Sequence, residues 1–413
     1  MFHWLIDAQD SGGKEVVLWS VLAVLALGLL GGIVAWESHE IGQNNSVAFV
    51  NEPNQGRVVF ANKGCTTCHG ADGQGTPQGP VLRGKDSLSS LPKLVTAMWN
   101  HAPGMWRAID QQKITPPEIS YQEMGQIVSY LYFSRYAYDT GDPAKGAKVF
   151  RQRQCVRCHS IGDDGAQSAP ELTAVLQFST PIDATQKLWN HAAGMQTEMQ
   201  RMKIEWPQFQ PQEFADLLAY ARSGQGQDRA EFPFPSSDPE NGWLVFKQKG
   251  CIKCHTTGEG GLGLGTSFGA TRPLPDTFAG FGSAMLNHFP AMQQSMQSNG
   301  QAMPVFKEGE MADLVGFIYS LHCVEPSGSP LVGASVFAWR GCAECHGPRA
   351  LGTRKGPGLR GRGQFYTANR LATNLWGHGI RMYRQNAKMR LNWPTLEDSD
   401  VGNLLTFLNS PEH

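Results

Sequence analysis

Apolar and polar positions divide the chain into one long apolar run followed by four recurrences of a single pattern. Val16 to Trp36 reads VVLWSVLAVLALGLLGGIVAW without a charge, and as a helix rising about 1.5 Å per residue it spans a hydrocarbon core. The run predicts one transmembrane helix. It lacks the basic n-region and A-x-A site of a cleaved secretory signal, and the flanking Asp7, Asp10, Lys14 and Glu15 give no positive-inside bias. Beyond it, the strings GRVVF, GAKVF, GWLVF and GASVF, starting at Gly56, Gly146, Gly242 and Gly333, each predict a short leading helix. The strings EMGQIVSYLY, EFADLLAYAR, EMADLVGFIYSL and DVGNLLTFLN carry apolar residues at helical spacing and predict a closing helix for each recurrence. With 47 glycines and 25 prolines the remainder reads as short loops, so the expected fold class is all-α. Stretches rich in Pro, Gly, Ser or Asp near Asp139 to Pro143, Arg229 to Pro239 and Glu325 to Pro330 mark linkers.

Composition narrows the classes. A chain of 413 residues exceeds one ordinary core, and 17% charged residues with a net charge of -1 suggest neither disorder nor a nucleic-acid-binding field. Cysteine carries the chemistry. Eight of nine form CTTCH (Cys65, Cys68, His69), CVRCH (Cys155, Cys158, His159), CIKCH (Cys251, Cys254, His255) and CAECH (Cys342, Cys345, His346). Cysteines three apart can form thioethers to both vinyl groups of one haem while the adjoining histidine reaches the iron. Disulfides, a redox dithiol or zinc knuckles use the same cysteine spacing. None requires the histidine, and none explains recurrence at intervals of 90, 96 and 91 residues with matching surroundings.

A second frame follows each box without gaps: a histidine, a methionine four later, a proline twelve further, an aromatic thirteen beyond. The sets are His101, Met105, Pro117, Tyr130; His191, Met195, Pro207, Tyr220; His288, Met292, Pro304, Phe317; and His378, Met382, Pro394, Phe407. The aromatics are expected to pack on Phe60, Phe150, Phe246 and Phe337 of the leading helices. Trp99, Trp189, Leu286 and Trp376, two residues before each histidine, are expected to wall the cofactor pocket. If helical, the histidine and methionine of each set share a face, and spacing leaves both open as the sixth iron ligand.

A leading helix, C-x-x-C-H, a Gly- and Pro-rich loop, a methionine region and a closing helix together resemble a class I cytochrome c domain, four times over from about residue 54 to the end. The resemblance implies four covalent haem c groups. It implies His69, His159, His255 and His346 as proximal ligands and Met105, Met195, Met292 and Met382 on the opposite face, with Met303, in MPVF, a rival to Met292. In such domains a proline region orients the proximal histidine, as Pro80, Pro170 and Pro357 would here. Thr266 stands at that place in the third recurrence, whose loop is therefore expected to differ. The resemblance to tetrahaem cytochromes of photosynthetic reaction centres is in haem number only, because there the methionine precedes its box.

The expected plan is a cytoplasmic N-terminus (1–15), a transmembrane helix (16–36), a linker (37–53) and four tandem domains (54–141, 142–232, 233–328, 329–413) on the periplasmic side of the cytoplasmic membrane. The implied function is electron transfer, as the electron-carrying subunit of a respiratory or photosynthetic membrane complex, rather than catalysis. The alternative is a multihaem redox enzyme of peroxidase, nitrite reductase or thiosulfate-oxidising type with one open haem. Expected partners are the membrane, an integral redox complex, and a soluble or membrane-bound redox protein. That protein is expected to be acidic and to dock on domain 4, which carries eleven basic against five acidic residues; nucleic acid is not expected. Short linkers should keep successive haems close. Cys323, outside the boxes, reads as a buried inert thiol.

Overall fold

The computed structural model describes residues 52–82, 88–137, 141–176, 179–223, 237–257, 265–269, 273–323, 328–360 and 365–411. The apolar run Val16 to Trp36, the segment 1–15 and nearly all of 37–53 lie outside the described residues. Among the described residues no helix is long and apolar enough to cross a membrane.

Each recurrence builds a leading helix, a box, a long helix and a closing helix. Repeat 1 contains α1 (Pro53–Asn62), α2 (Thr66–His69), α3 (Leu91–Gln111) and α4 (Tyr121–Ala137). Repeat 2 contains α5 (Pro143–Gln152), α6 (Leu172–Leu176), α7 (Pro181–Arg201) and α8 (Pro211–Arg222). Repeat 3 contains α9 (Pro239–Gln248), α10 (Phe278–Ser298) and α11 (Glu310–Ser320). Repeat 4 contains α12 (Pro330–Trp339), α13 (Ala343–His346), α14 (Ala368–Lys388) and α15 (Asp398–Asn409). Among the described residues the one sheet is a two-residue antiparallel hairpin, β1 (Ser160–Ile161) with β2 (Asp164–Gly165).

Local chemistry explains the boundaries. Each leading helix starts with proline, where the missing N–H is harmless, and Asp142, Asp238 and Ser329 cap three of them by accepting backbone N–H groups. The long helices, 21 residues each, are capped by Ser90, Thr180, Thr277 and Thr367, as their preference for that position predicts.

Leading and closing helices of a repeat cross at the glycine that opens the repeated string. A Cβ on Gly56 would lie 1.9 Å from the Gln126 carbonyl oxygen, and on Gly146, Gly242 or Gly333 it would lie 2.0 Å from that of Asp216, Asp313 or Asn403. Only hydrogen fits. Beside the crossing the expected aromatic pairs form: Phe60–Tyr130 at 5.4 Å, Phe150–Tyr220 at 5.9 Å, Phe246–Phe317 at 5.7 Å and Phe337–Phe407 at 5.4 Å between ring centres. Ion pairs Lys63–Glu123, Arg153–Glu213, Lys249–Glu310 and Arg340–Asp400 close the same corner.

The repeats then pack in pairs, 1 with 4 and 2 with 3, through their long helices: α3 against α14, α7 against α10. Asn100 donates to the Leu396 carbonyl (2.9 Å) and accepts from the Leu396 N–H (2.8 Å). Asn190 does the same with Phe306 and Asn287 with Phe209. The indole N–H groups of Trp99, Trp376 and Trp189 donate to the carbonyls of Pro394, Pro117 and Pro304 in the partner repeat. The repeated proline is thus an interface element. A third contact joins the two pairs: Tyr132 in repeat 1 donates to the Tyr319 carbonyl at 2.9 Å, and Phe133 faces Phe278.

Two long helices contain a proline, Pro103 in α3 and Pro290 in α10, which removes the hydrogen bond to the carbonyl four residues earlier. Those carbonyls belong to Trp99 and Leu286. The first accepts from the Trp393 indole N–H at 3.0 Å, the second from that of Trp206 at 2.9 Å. Each orphan is satisfied from the partner repeat. Repeats 1 and 3 carry the proline and lack this tryptophan (Pro116 and Met303 stand there); repeats 2 and 4 carry the tryptophan and lack the proline (Ala193 and Ile380). Replacing Trp393 by Phe should therefore destabilise the protein by about 1 to 3 kcal/mol, the cost of a buried acceptor left without a partner. Adding Pro103→Ala should restore part of the loss by returning the intrahelical donor. Chemical denaturation of both single variants and the double variant measures the coupling; strictly additive effects would contradict this bookkeeping.

Candidate functional site

Each box begins one residue after a left-handed turn, at Gly64, Gln154, Gly250 or Gly341 (φ between 63° and 80°). The chain then makes one tight turn, in which the histidine N–H donates to the carbonyl of the first cysteine at 2.8 to 3.0 Å. The turn gathers both thiols and the imidazole of one box. The first cysteines, Cys65, Cys155, Cys251 and Cys342, pack against the apolar cores, and burial pushes each thiol up to about 11. No disulfide joins any of the nine cysteines. Among the described residues no three or more His, Cys, Asp or Glu side chains are grouped to hold a bare metal ion.

Each box histidine is held by its Nδ1. His69 meets the Pro80 carbonyl at 3.0 Å, and His159 and His346 meet those of Pro170 and Pro357 at 2.8 Å. His255 meets the Thr266 carbonyl at 2.8 Å. A backbone carbonyl can only accept, so Nδ1 carries the proton and Nε2 keeps its lone pair for a metal. The loop of repeat 3 was expected to differ here; the holding bond is nevertheless the same, because the main chain supplies it whichever side chain is attached. The difference lies two residues on, where Phe268 stacks on His255 at 4.9 Å.

Opposite the box stands the histidine of the second frame. Ring centres of His69 and His101 are 6.2 Å apart, and those of His159–His191 and His255–His288 are 6.3 Å apart, with planes inclined at 64° to 74°. In repeat 4, His346 and His378 line one cavity of about 670 Å³ together with Cys342, Cys345, Met382 and Trp393, a volume in the range of cofactor sites. Burial, and after it the facing box histidine, pushes His101, His191 and His288 below the usual imidazole value. For His378 burial leads, followed by Arg381 and then His346. These imidazoles are neutral at pH 7, the form that binds metal. The methionines lie one helical turn further. Met105, Met292 and Met382 pack against the cores between repeats, Met195 is half-buried, and Met303 joins the core beside Met292. Trp99 of repeat 1 lines the cavity of repeat 4.

Residues 54–132 and 143–225 match the family model described as Cytochrome c. No curated protein and no solved structure matches the chain. The match covers repeats 1 and 2, and in this family haem is bound covalently and moves electrons. The donor set fits that group: two thiols, an imidazole with Nε2 left free for metal, and, in repeats 1 to 3, a second imidazole whose ring centre lies 6.2 to 6.3 Å from the first.

Part of the basic excess of repeat 4 is used internally. Arg340 pairs with Asp400 and Glu397, Arg384 pairs with Asp110 of repeat 1, and Arg360 donates to the carbonyls of Ser410 and Pro411. Arg381 and Lys355 border the cavity. Cys323, only 2% exposed, sits in the core that joins repeats 1 and 3, where burial drives its thiol far above the ordinary range. In the native protein Cys323 should not react with a polar maleimide at pH 7, and mass spectrometry should find it modified only after unfolding.

Proposed function

We propose that this chain is an electron carrier holding four covalent haem c groups. It serves on the outer side of the cytoplasmic membrane, where the apolar run Val16 to Trp36 anchors it as the electron-carrying subunit of a larger redox complex. The observation that carries this reading is the recurrence, four times, of two box thiols beside an imidazole whose Nδ1 is tied to a carbonyl eleven residues away. Such a group supplies one-electron redox chemistry when bound. The cysteines tether it, the carbonyl orients the proximal imidazole, and the apolar cores of each repeat exclude water around it.

The pairing of repeats supports a route. Trp99 reaches the cavity of repeat 4 while His101, two residues on, faces the box of repeat 1, so one helix separates two cofactor sites. In the other pair Trp189 donates to the Pro304 carbonyl of repeat 3 while His191 faces the box of repeat 2, and the Tyr132–Tyr319 contact links the pairs. Electrons then pass in the order 4, 1, 3, 2 or its reverse, rather than in chain order. The second imidazole in every repeat leaves no iron face open for substrate, which favours a carrier over the peroxidase or nitrite reductase type of enzyme. An acidic partner would meet the Arg381 and Lys355 edge of repeat 4.

The full-length membrane-extracted protein should give four haems per chain in an alkaline pyridine spectrum, and converting both cysteines of one box to alanine should remove one of the four. Reduced native protein should fail to bind carbon monoxide. A chain without covalent haem would end this reading, and carbon monoxide binding would return the enzyme.

A further inference from the structure

The class I cytochrome c pattern pairs the box histidine with a methionine, yet in the structure it is an imidazole that faces it. Metal–imidazole bonds of about 2.0 Å, with about 1.1 Å from each ring nitrogen to its ring centre, put two axial imidazoles about 6.2 Å apart centre to centre. In repeats 1, 2 and 3 the separations are 6.2, 6.3 and 6.3 Å. An edge-to-face ring contact also falls within this range, but here the same separation recurs in three repeats. His101, His191 and His288 each keep part of the side chain open to solvent, and the residues around the three boxes differ, with Phe268 on His255 and no counterpart ring at Leu82 or Leu172. A common separation, held by the same frame in each repeat, is the one that a common occupant of the gap requires.

Resting on the haem reading above, we infer that each iron is held between two imidazoles: His69 with His101, His159 with His191, His255 with His288, and His346 with His378. Met105, Met195, Met292 and Met382, one turn along the same helices, then act as apolar filler between repeats. Six-coordinate iron has one position trans to the box histidine, so the two candidates exclude each other. The level of the box along the helix decides between them, because it is the histidine ring that lies opposite the box imidazole. Trp99 and His101 leave α3 about 200° apart. With Trp99 fixed on the Pro394 carbonyl and Asn100 on Leu396, His101 is turned toward its own box. Trp189 and Asn190 fix His191 in the same way, and Asn287 fixes His288.

The oxidised holoprotein should lack the far-red thioether-to-iron charge-transfer band and show the strongly anisotropic low-spin resonance of crossed imidazoles. Met105→Leu should change neither. His101→Met should give one haem of the four the charge-transfer band and a higher potential. A charge-transfer band in the native protein, part of which disappears in Met105→Leu, would overturn the inference. If His101→Met does not fold, Met105→Leu still decides. Haem content measured separately by the pyridine spectrum distinguishes wrong ligands from an absence of haem.

Discussion

Consecutive side chains leave an α-helix about 100° apart, and the organisation of this molecule hangs on that constraint at three neighbouring residues. Trp99, Asn100 and His101 on α3 serve two masters: the first two are hydrogen-bonded to the backbone of repeat 4, and the third faces the box of repeat 1. A rotation that improved one contact would spoil the other. Cofactor geometry and inter-repeat packing are therefore one property, and the same holds at Trp189, Asn190 and His191. Where the frame is incomplete, at Leu286 and Gly377, the partner repeat provides the full set.

Backbone accounting explains why the repeats come in two kinds. Helix-interior proline at 103 and 290 creates acceptors that only the tryptophans at 393 and 206 fill. Two proline-type repeats together would bury two unpaired carbonyls, and two tryptophan-type repeats would bury two unpaired indole N–H groups, each costing about 1 to 3 kcal/mol. Unlike repeats must pair. Which unlike repeats do so is settled by shape: Trp106 fits against Gly379 of repeat 4, where a Cβ would come within 2.5 Å of the indole. The corresponding residue of repeat 2 is Ala192. In the other pair, Gly282 makes room for Thr185 and Phe214 of repeat 2.

The sequence showed the parts of the repeat that contact each other within it. The leading and closing helices, the boxes and the aromatic pairs were legible because apolar periodicity and Cys-x-x-Cys-His spacing are local signals. The long helices were less so: only a shared face for each histidine and methionine, if helical, was legible, and the helices run through Pro103 and Pro290 because the partner repeat satisfies the carbonyls they orphan. Choosing between His101 and Met105 was beyond spacing, since both lie on one helical face, and only the position of the box across the gap separates them. The pairing of repeats was hidden for a similar reason. Its signal is a complementarity between distant positions, proline in odd repeats and tryptophan in even ones, which acquires meaning only once the two are seen to meet. Short linkers suggested that successive haems stay close; the repeats themselves pack as 2 with 3 and 1 with 4.

Why repeat 1 reaches past its neighbour to repeat 4 follows from magnitudes. The Trp99–Pro394 contact closes 295 residues of chain and the Trp189–Pro304 contact 115. Loop-closure entropy grows only logarithmically, so the longer closure costs about 0.8 kcal/mol more. That is less than a single unpaired buried carbonyl and less than the strain of forcing a Cβ onto the Trp106 ring at 2.5 Å. Proximity along the chain is thus the weaker term. Side-chain complementarity outweighs it, and the order of cofactor sites in space is set by which helices fit together rather than by which follow one another.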